Sequence, residues 1–160
     1  MEMAVSVASL IVALCALGFT AWQTNTQRKH NRISVKPHLF SLSTSDRNKN
    51  IARLQILLIN NGLGPAFINE FKVFYKGIES EPHTAVKSAL GNLAKNSSLT
   101  ILGDDYAMPE KDKEVLLSVT FPAKSEDEVT IVANRLDELD LLINYSSAYE
   151  KMEPYDSRKK

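Results

Sequence analysis

Cysteine is nearly absent from this chain of 160 residues, which contains only Cys15. Because Cys15 lies inside an apolar run near the N terminus, the rest of the chain has no disulfide, no thiolate nucleophile and no cysteine metal ligand. The lack of disulfides fits a reducing compartment. The roughly 115 residues that follow the apolar run are enough for one domain with a hydrophobic core and too few for two.

Net charge is also absent, because 19 basic residues balance 19 acidic residues. Beyond residue 32 the chain has 16 basic and 18 acidic residues, which gives a net charge of −2. A dedicated nucleic-acid surface needs a clear excess of Lys and Arg. The composition therefore predicts no DNA or RNA partner.

Residues with catalytic or metal-binding chemistry are few and scattered. His30, His38 and His83 each lack a second His or a carboxylate at ligand spacing on the same predicted element. Asp104 and Asp105 are neighbours in a predicted turn, where side chains point apart instead of facing each other across a substrate. No nucleophile elbow, local Ser/His/Asp signature or dinucleotide fingerprint is present. The sequence predicts no enzyme, no metal and no cofactor, and a membrane-bound hydrolase stays a minor alternative.

The most prominent feature that is present is an uncharged apolar run over residues 4–22. As a helix this run spans about 28 Å, close to the roughly 30 Å of a bilayer's hydrocarbon core. Inside that core a helix satisfies every backbone donor and acceptor within one segment. Trp22 ends the run, where its amphipathic ring suits the headgroup level. We predict a transmembrane anchor at residues 1–23, with the helix at about 4–22.

A cleaved signal peptide and a lipoprotein signal are two other interpretations of this run. A signal peptide has a basic segment before a shorter apolar run, whereas only Met1, Glu2 and Met3 precede this one. A lipoprotein signal has a small residue before its modified Cys, whereas Leu14 precedes Cys15. The sequence therefore favours a retained anchor.

Basic residues follow the run and do not precede it, in a juxtamembrane linker predicted at 24–32 and just beyond it. Because Lys and Arg stay on the cytoplasmic side, the N terminus is predicted outside and the domain in the cytoplasm. The same cations lie close enough to the bilayer to contact anionic lipid headgroups. The residues assigned to this contact are Arg28, Lys29, Arg32 and Lys36.

One narrow face of the predicted anchor carries only small side chains. Spacings of three and four residues place them in line along a helix. They are Ser6, Ser9, Ala13, Ala16 and Thr20. Membrane helices associate through such small residues, helped by hydroxyl groups. This face predicts self-association or a membrane partner, although small residues are so common in the run that chance explains it equally well.

The soluble part is predicted as a β-rich domain at 33–150, followed by a flexible polar tail at 151–160. Alternating or dense apolar residues predict strands at 33–44, 51–59, 66–75, 97–102, 114–121 and 139–149, with a short return at 78–81. Helical spacing predicts a helix at 82–95, and a capping box from Ser125 to Glu128 predicts a second helix. A polar stretch at 45–50 predicts a turn.

This order of elements offers few helical crossovers of the kind that parallel strands need. The simplest fold is α+β and mostly antiparallel, a β-sandwich-like domain with two inserted helices. An open sheet with helices on one face is the alternative.

Two local motifs have both a structural and a functional interpretation. The 60–66 loop is favoured as a strand connection, but Asn60, Asn61, Gly62 and Gly64 also suit a concave anion site made of backbone N–H groups. Tyr145 and Tyr149 are favoured as one face of the last strand. Together with Tyr155 they also suit a ligand-stacking or partner surface.

Three phrases of the sequence are RISVKP at 32–37, NNGLGPA at 60–66 and INYSSAY at 143–149. Together with the anchor, they resemble the "RxSVKP"-like strand, "NxGxGPA" turn and "IxYxSxY"-like strand of small bacterial membrane-anchored proteins of uncharacterised function. The resemblance supports the predicted architecture and orientation and implies a bacterial inner-membrane location. It brings no activity and no catalytic residue.

The leading functional hypothesis is an interaction protein whose single membrane helix presents a cytoplasmic domain to a protein partner or to another copy. The alternative is an oligomeric membrane effector that senses a small ligand, such as a nucleotide second messenger, and perturbs the membrane. Some bacterial anti-phage effectors have this layout, so the alternative rests on analogy of architecture.

Overall fold

A computed structural model describes residues 2–104 and 106–159. The chain is α+β, with a long apolar helix at its N terminus and strands that pair antiparallel in two sheets, as the sequence predicted. It divides into two compact units, Met1–Val35 and Lys36–Lys160.

The N-terminal unit is a single helix, α1 (Glu2–Ser34), of 33 residues. Its most apolar 18-residue window has a mean hydropathy of 2.1, and none of that window is buried. The helix is long and apolar enough to cross a membrane, a property that signal sequences share. It continues well past the predicted end at residue 22, so the segment expected to be a linker at 24–32 is helical. The hydroxyl groups of Thr24 and Thr26 are satisfied there by main-chain oxygens four residues earlier.

The second unit contains nine strands, two α-helices and one 3-10 helix among its described residues. In chain order they are β1 (Leu39–Asn48), β2 (Ile51–Asn60), β3 (Ala66–Tyr75), β4 (Ile78–Ser80), α2 (Pro82–Leu90), the 3-10 helix (Gly91–Asn96), β5 (Ser97–Leu99), β6 (Ala107–Met108), β7 (Lys113–Pro122), α3 (Glu126–Leu136), β8 (Leu139–Ser146) and β9 (Tyr155–Asp156).

The first sheet has four strands in the order β1-β2-β7-β5, so the apolar strand β2 is central, as predicted. Its edge strand β1 begins at Leu39 instead of residue 33, because residues 33 and 34 belong to α1. The turn expected at 45–50 is shorter, since pairing continues to Asn48 and Lys49 turns the chain with a φ of 55°. Strand β5 ends at Leu99, three residues before the predicted end at 102.

The second sheet has the order β4-β3-β8-β9, with β6 also paired to β3. Strand β3 occupies the predicted range 66–75. A bulge between Ile68 and Glu70 in its pairing with β8 adds a residue to β3. Because of that bulge, both Ile68 and Phe71 pack into the same core cluster although their positions differ by three, an odd number.

The two α-helices of the domain begin at side-chain caps. Glu81 accepts the main-chain N–H groups of His83 and Thr84 and caps α2. Gly91 ends that helix with a φ of 58°, so the expected helix over 82–95 is split into α2 and the 3-10 helix. Ser125 caps α3 as predicted, but Glu128 accepts the N–H of Lys124 and not that of Ser125. The second hydrogen bond of the capping box, from the backbone N–H to Glu128, is therefore made by Lys124, one residue before the N-cap.

Two clusters of buried side chains form the core. The first includes Leu58 and Leu116 from the four-stranded sheet and Ile143 from the second sheet. The second lies between the four-stranded sheet and the helices, and includes Leu90 of α2 and Val132 of α3. The four-stranded sheet therefore packs against the second sheet in one region and against helices in the other.

The C-terminal segment is part of this domain, although its polar composition predicted a flexible tail. Strand β9 pairs with β8 through Leu142 with Asp156 and Ile143 with Tyr155. The side chains of Met152 and Tyr155 pack against the first core cluster. These two apolar contacts, together with the strand pairing, hold the segment in place.

Candidate ligand-binding site

A partly open cleft with a volume of about 450 Å³ lies in the domain. Pockets for small molecules measure roughly 300–1,000 Å³, so this volume is within their range. Ten of the sixteen residues that line the cleft are apolar, and they come from both sheets and both α-helices. They are Ile56, Phe71, Val73, Val86, Leu99, Leu116, Leu117, Leu136, Leu139 and Leu141.

The cleft lies where the two core clusters meet, because Ile56 and Leu139 pack against both clusters and also line it. The pairing of β2 with β7 shifts register beside Ile56. Such a shift leaves one extra residue in one of the two strands, here β7. Two consecutive residues of that strand can then point to the same face. Leu116 and Leu117 accordingly both line the cleft, although consecutive residues of a regular strand alternate between faces.

Polar side chains form the remainder of the wall, here called the polar rim. They are Ser41, Ser43, Asp137, Asp140, Ser157 and Arg158. The Ser157 hydroxyl donates to the Asp140 carboxylate at 2.9 Å and accepts the main-chain N–H of Leu141 at 2.9 Å. These bonds fix one oxygen of Asp140 and leave the rest of the carboxylate available.

The positive charge of Arg158 is held by a carboxylate beside the rim. Its Nε and Nη2 donate to the two oxygens of Asp156, each at 2.8 Å. Its guanidinium group also lies 4.2 Å from the centre of the Phe74 ring. These hydrogen bonds from Arg158 hold the pKa of the Asp156 carboxyl at about 2. Asp156 therefore offsets much of the charge of Arg158, which also attracts the rim carboxylate of Asp140.

Asp137 and Asp140 have no ion-pair partner within residues 2–104 and 106–159. Asp137 follows the last turn of α3, where the helix dipole is negative. The charged side chains of the rim, Asp137, Asp140 and Arg158, carry a net charge of −1 at neutral pH. The rim is thus a weakly acidic border on a cleft whose wall is partly apolar.

The 60–66 loop is organised by the buried side chain of Asn60. Its Oδ1 accepts the main-chain N–H groups of His38 and Gly62, each at 3.1 Å. Its Nδ2 donates to the main-chain oxygens of Gly64, Met108 and Pro109 at 2.8, 3.2 and 2.9 Å. A single amide thus joins three segments of the chain.

Three consecutive backbone donors of this loop, at residues 61–63, are engaged within the protein. The N–H of Asn61 donates to the His38 oxygen at 2.8 Å, and that of Leu63 donates to the Lys36 oxygen at 3.0 Å. The N–H of Gly62 is bound by Asn60, as described above. No residue of this loop, all of which the structure describes, has the positive φ that a nest requires. The loop geometry favours the structural interpretation, and anion binding stays a prediction.

Gly62 brings this loop against the segment that follows α1. A Cβ at position 62 would overlap main-chain atoms of Lys36, Pro37 and His38. Pro37 is itself fully buried. The end of the RISVKP phrase and the NNGLGPA phrase therefore pack directly on each other, which the sequence alone did not show.

The small-residue face predicted for the anchor lies on α1. Ser6, Ser9, Ala13, Ala16 and Thr20 are all exposed. The hydroxyl groups of Ser6 and Thr20 donate to main-chain oxygens four residues earlier, at 3.0 and 2.8 Å. The face therefore presents small groups whose polar atoms are partly satisfied within the helix.

The residues assigned to lipid contact divide between the two units. Arg28, Lys29 and Arg32 are exposed on α1, within its last two turns. Lys36 is exposed at the start of the second unit. Contact of these four residues with lipid stays a prediction.

The scattered histidines and carboxylates do not assemble into a site. His30 lies on α1, and His38 and His83 are exposed in the second unit. The described residues contain no group of three side chains that could hold a metal ion. Asp104 is exposed, and its neighbour Asp105 lies outside the described residues.

The expectation that Tyr145 and Tyr149 share one strand face is wrong, because β8 ends at Ser146. Tyr145 is buried in the first core cluster, whereas Tyr149 is exposed in the following loop. Tyr155 lies on β9, and its hydroxyl hydrogen-bonds to that of Ser41 at 2.6 Å. The three tyrosines therefore do not form a common stacking surface.

Sequence reasoning missed the cleft and its rim. Asp137, Asp140, Ser157 and Arg158 form no local motif, because two precede and two follow a long loop. The one available signal was Met152 and Tyr155, two large side chains in a tail that is otherwise polar. They indicated that the tail is anchored to the core.

Comparisons with protein-family models, with curated proteins and with solved structures find no match to this chain. The functional interpretation therefore depends on two observed features, the apolar helix α1 and the acid-rimmed cleft.

Proposed function

We propose that this chain is a single-pass protein of the bacterial inner membrane, with its N terminus outside and its domain in the cytoplasm. The observation that carries this proposal is α1, whose apolar window has a mean hydropathy of 2.1 and whose basic residues all follow that window. Positive charge on one flank favours the cytoplasmic side for that flank. Arg28, Lys29, Arg32 and Lys36 then contact anionic lipid headgroups.

The domain presented at the membrane is proposed to bind a protein partner or another copy of the chain. The exposed small residues of α1 support association within the membrane, because they let two helix backbones approach closely. The hydroxyls of Ser6 and Thr20 are already bonded within the helix, so packing them leaves no unsatisfied donor. A homo-oligomer held by this face is the simplest arrangement.

A second candidate function is an oligomeric membrane effector that senses a small ligand, as in anti-phage defence. The cleft of about 450 Å³ favours this candidate, because a protein interior is otherwise closely packed. A nucleotide second messenger suits the cleft poorly, since phosphate groups would face the carboxylates of Asp137 and Asp140. A ligand with an apolar body fits the wall better.

We further infer that the domain is sandwich-like, with α2 and α3 as insertions. The first core cluster supports this architecture because it combines side chains of both sheets. The second cluster supports the insertion of the helices, which pack on the same four-stranded sheet.

Cross-linking in native membranes tests the assembly proposal. Ala13→Leu combined with Ala16→Leu places bulk on the small-residue face, whereas Val12→Leu adds bulk beside that face and is the matched control. We expect the double variant to lose the cross-linked oligomer and the control to keep it. A chain that is monomeric in membranes before any substitution would contradict the proposal.

A further inference from the structure

The cleft is partly open to solvent and is larger than the voids found inside protein cores. Protein interiors are packed about as densely as organic crystals, and most voids are no larger than a water molecule. The volume of about 450 Å³ is about three times that of an engineered 150 Å³ cavity that stays dry and binds benzene. Ile56, Leu116 and Leu139 line this cleft. An apolar molecule that covers them removes apolar surface from water, and this stabilises the bound state.

The charge of the rim determines which headgroup an amphiphilic ligand can place at the mouth of the cleft. Asp137 and Asp140 lie on this border, and neither forms an ion pair among the described residues. Arg158, the one basic side chain of the rim, forms two hydrogen bonds with Asp156. An anionic headgroup would meet a border with a net charge of −1, whereas a cationic headgroup would meet Asp137 and the part of the Asp140 carboxylate that Ser157 leaves open.

We propose that the cleft binds a small amphiphilic cation, with an apolar chain among the leucines and an ammonium group at Asp137 and Asp140. The apolar wall supplies the affinity for the chain, and the acidic rim selects the charge of the headgroup. This proposal rests on the ligand-sensing candidate function, and it does not depend on which side of the membrane holds the domain.

The C-terminal segment gives the bound state a distinct local signature. Ser157 and Arg158 belong to the rim, and the Ser157 N–H donates to the Leu141 oxygen at 2.9 Å. An ammonium group at Asp140 lies beside the Ser157 hydroxyl that bonds to that carboxylate. Slower amide exchange at Ser157 is therefore expected when the cleft is occupied.

Binding to the full-length chain in nanodiscs of zwitterionic lipid tests the proposal without detergent, which would itself compete for the cleft. The probes are decyltrimethylammonium, decanol and decanoate, which share one chain and differ in charge. Each is titrated by native mass spectrometry, with empty nanodiscs as the control for partition into lipid. We expect saturable one-to-one binding of the cation, weaker binding of the alcohol and no saturable binding of the anion.

Charge variants separate the rim from the apolar wall. Asp137→Asn combined with Asp140→Asn is expected to lower the affinity for decyltrimethylammonium about tenfold and to leave that for decanol unchanged. Asp127→Asn, at the other end of α3, is the matched control and is expected to change neither. Ile56→Trp fills the cleft and is expected to abolish both, with far-UV circular dichroism as the check on folding.

Equal binding of decanoate, absence of saturable binding of the cation, or an unchanged cation affinity in the double variant would each overturn the proposal. Fractionation of the expressing cells, done before reconstitution, tests the membrane proposal separately. If the parent protein is in the membrane fraction but binds no probe in nanodiscs, the cleft proposal has failed and the membrane proposal stands. If the parent protein is absent from the membrane fraction of those cells, the membrane proposal has failed independently.

Discussion

The hydroxyl groups of Ser41 and Tyr155 lie 2.6 Å apart, although their positions in the chain differ by 114. Ser41 belongs to β1, the edge strand of the four-stranded sheet, and Tyr155 belongs to β9, the edge strand of the second sheet. Their hydrogen bond therefore links the two sheets. Because Ser41 also lines the cleft, this link closes the domain beside the polar rim.

Tyr155→Phe is predicted to loosen the C-terminal segment and leave the rest of the domain folded. The substitution keeps the ring in the core and removes one hydrogen bond, which contributes about 0.5–1.5 kcal/mol to stability. Amide hydrogen exchange should become faster at Met152 and Ser157. The exposed Tyr149 provides the control, because Tyr149→Phe should leave both exchange rates unchanged. Equal effects of the two substitutions would show that the link between the sheets contributes nothing.

The C-terminal segment is also predicted to loosen in acid. Hydrogen bonds from Arg158 hold the pKa of the Asp156 carboxyl at about 2, below its ordinary value of 3.8. A carboxyl with a lowered pKa in the fold stabilises it above the unfolded pKa, and this contribution is lost as pH falls through the folded pKa. NMR resonances of Ser157 should therefore shift as pH falls from about 4 to about 2.

Substitution distinguishes Asp156 from the other carboxylate near Arg158. Asp156→Asn should remove the acid-dependent shift, whereas Asp140→Asn should keep it. A shift that persists in Asp156→Asn would assign the transition to a different group.

Asn60→Ala is predicted to destabilise the domain by about 3 kcal/mol or more. The buried amide satisfies two main-chain donors and three main-chain acceptors, and each buried group left without a partner costs about 1–3 kcal/mol. Urea denaturation followed by tyrosine fluorescence measures the loss. The exposed neighbour gives the comparison, because Asn61→Ala should change stability by less than about 0.5 kcal/mol. Similar values for the two variants would contradict the central role of Asn60.

Gly62→Ala is predicted to destabilise the domain through a steric clash. The added Cβ would overlap main-chain atoms at Lys36, Pro37 and His38, and backbone cannot move aside as a flexible side chain can. Overpacking of this kind typically costs about 1–3 kcal/mol. Gly103→Ala is the control, since a Cβ there meets no atom within 4 Å. Full stability of Gly62→Ala would mean that the segment after α1 is free to move away.

Elements whose signals lie within a few residues could be predicted from the sequence. The apolar run predicted α1, dense apolar residues predicted β2 as a central strand, and Ser125 predicted the start of α3. The C-terminal end of α1 could not be placed, because residues 23–32 are polar and carry no stop signal before Pro37. The helix continues there because no proline or glycine interrupts it.

The candidate site could not be predicted because its parts are distant in the chain. Ser41 and Arg158 share one rim only after β9 pairs with β8. The register shift beside Ile56 that turns Leu116 and Leu117 into the cleft likewise depends on tertiary pairing. Local composition, which favoured a frayed tail, was outweighed by the packing of Met152 and Tyr155.

Cysteine labelling in bacterial spheroplasts tests the central claim that α1 is a retained anchor with the domain in the cytoplasm. In a Cys15→Ser background, Met3→Cys marks the N terminus and Ala148→Cys marks an exposed loop of the domain. With a membrane-impermeant maleimide, we predict labelling of Met3→Cys in intact spheroplasts and of Ala148→Cys only after lysis. Labelling of Ala148→Cys in intact spheroplasts, or a mature protein that has lost residue 3, would contradict the account.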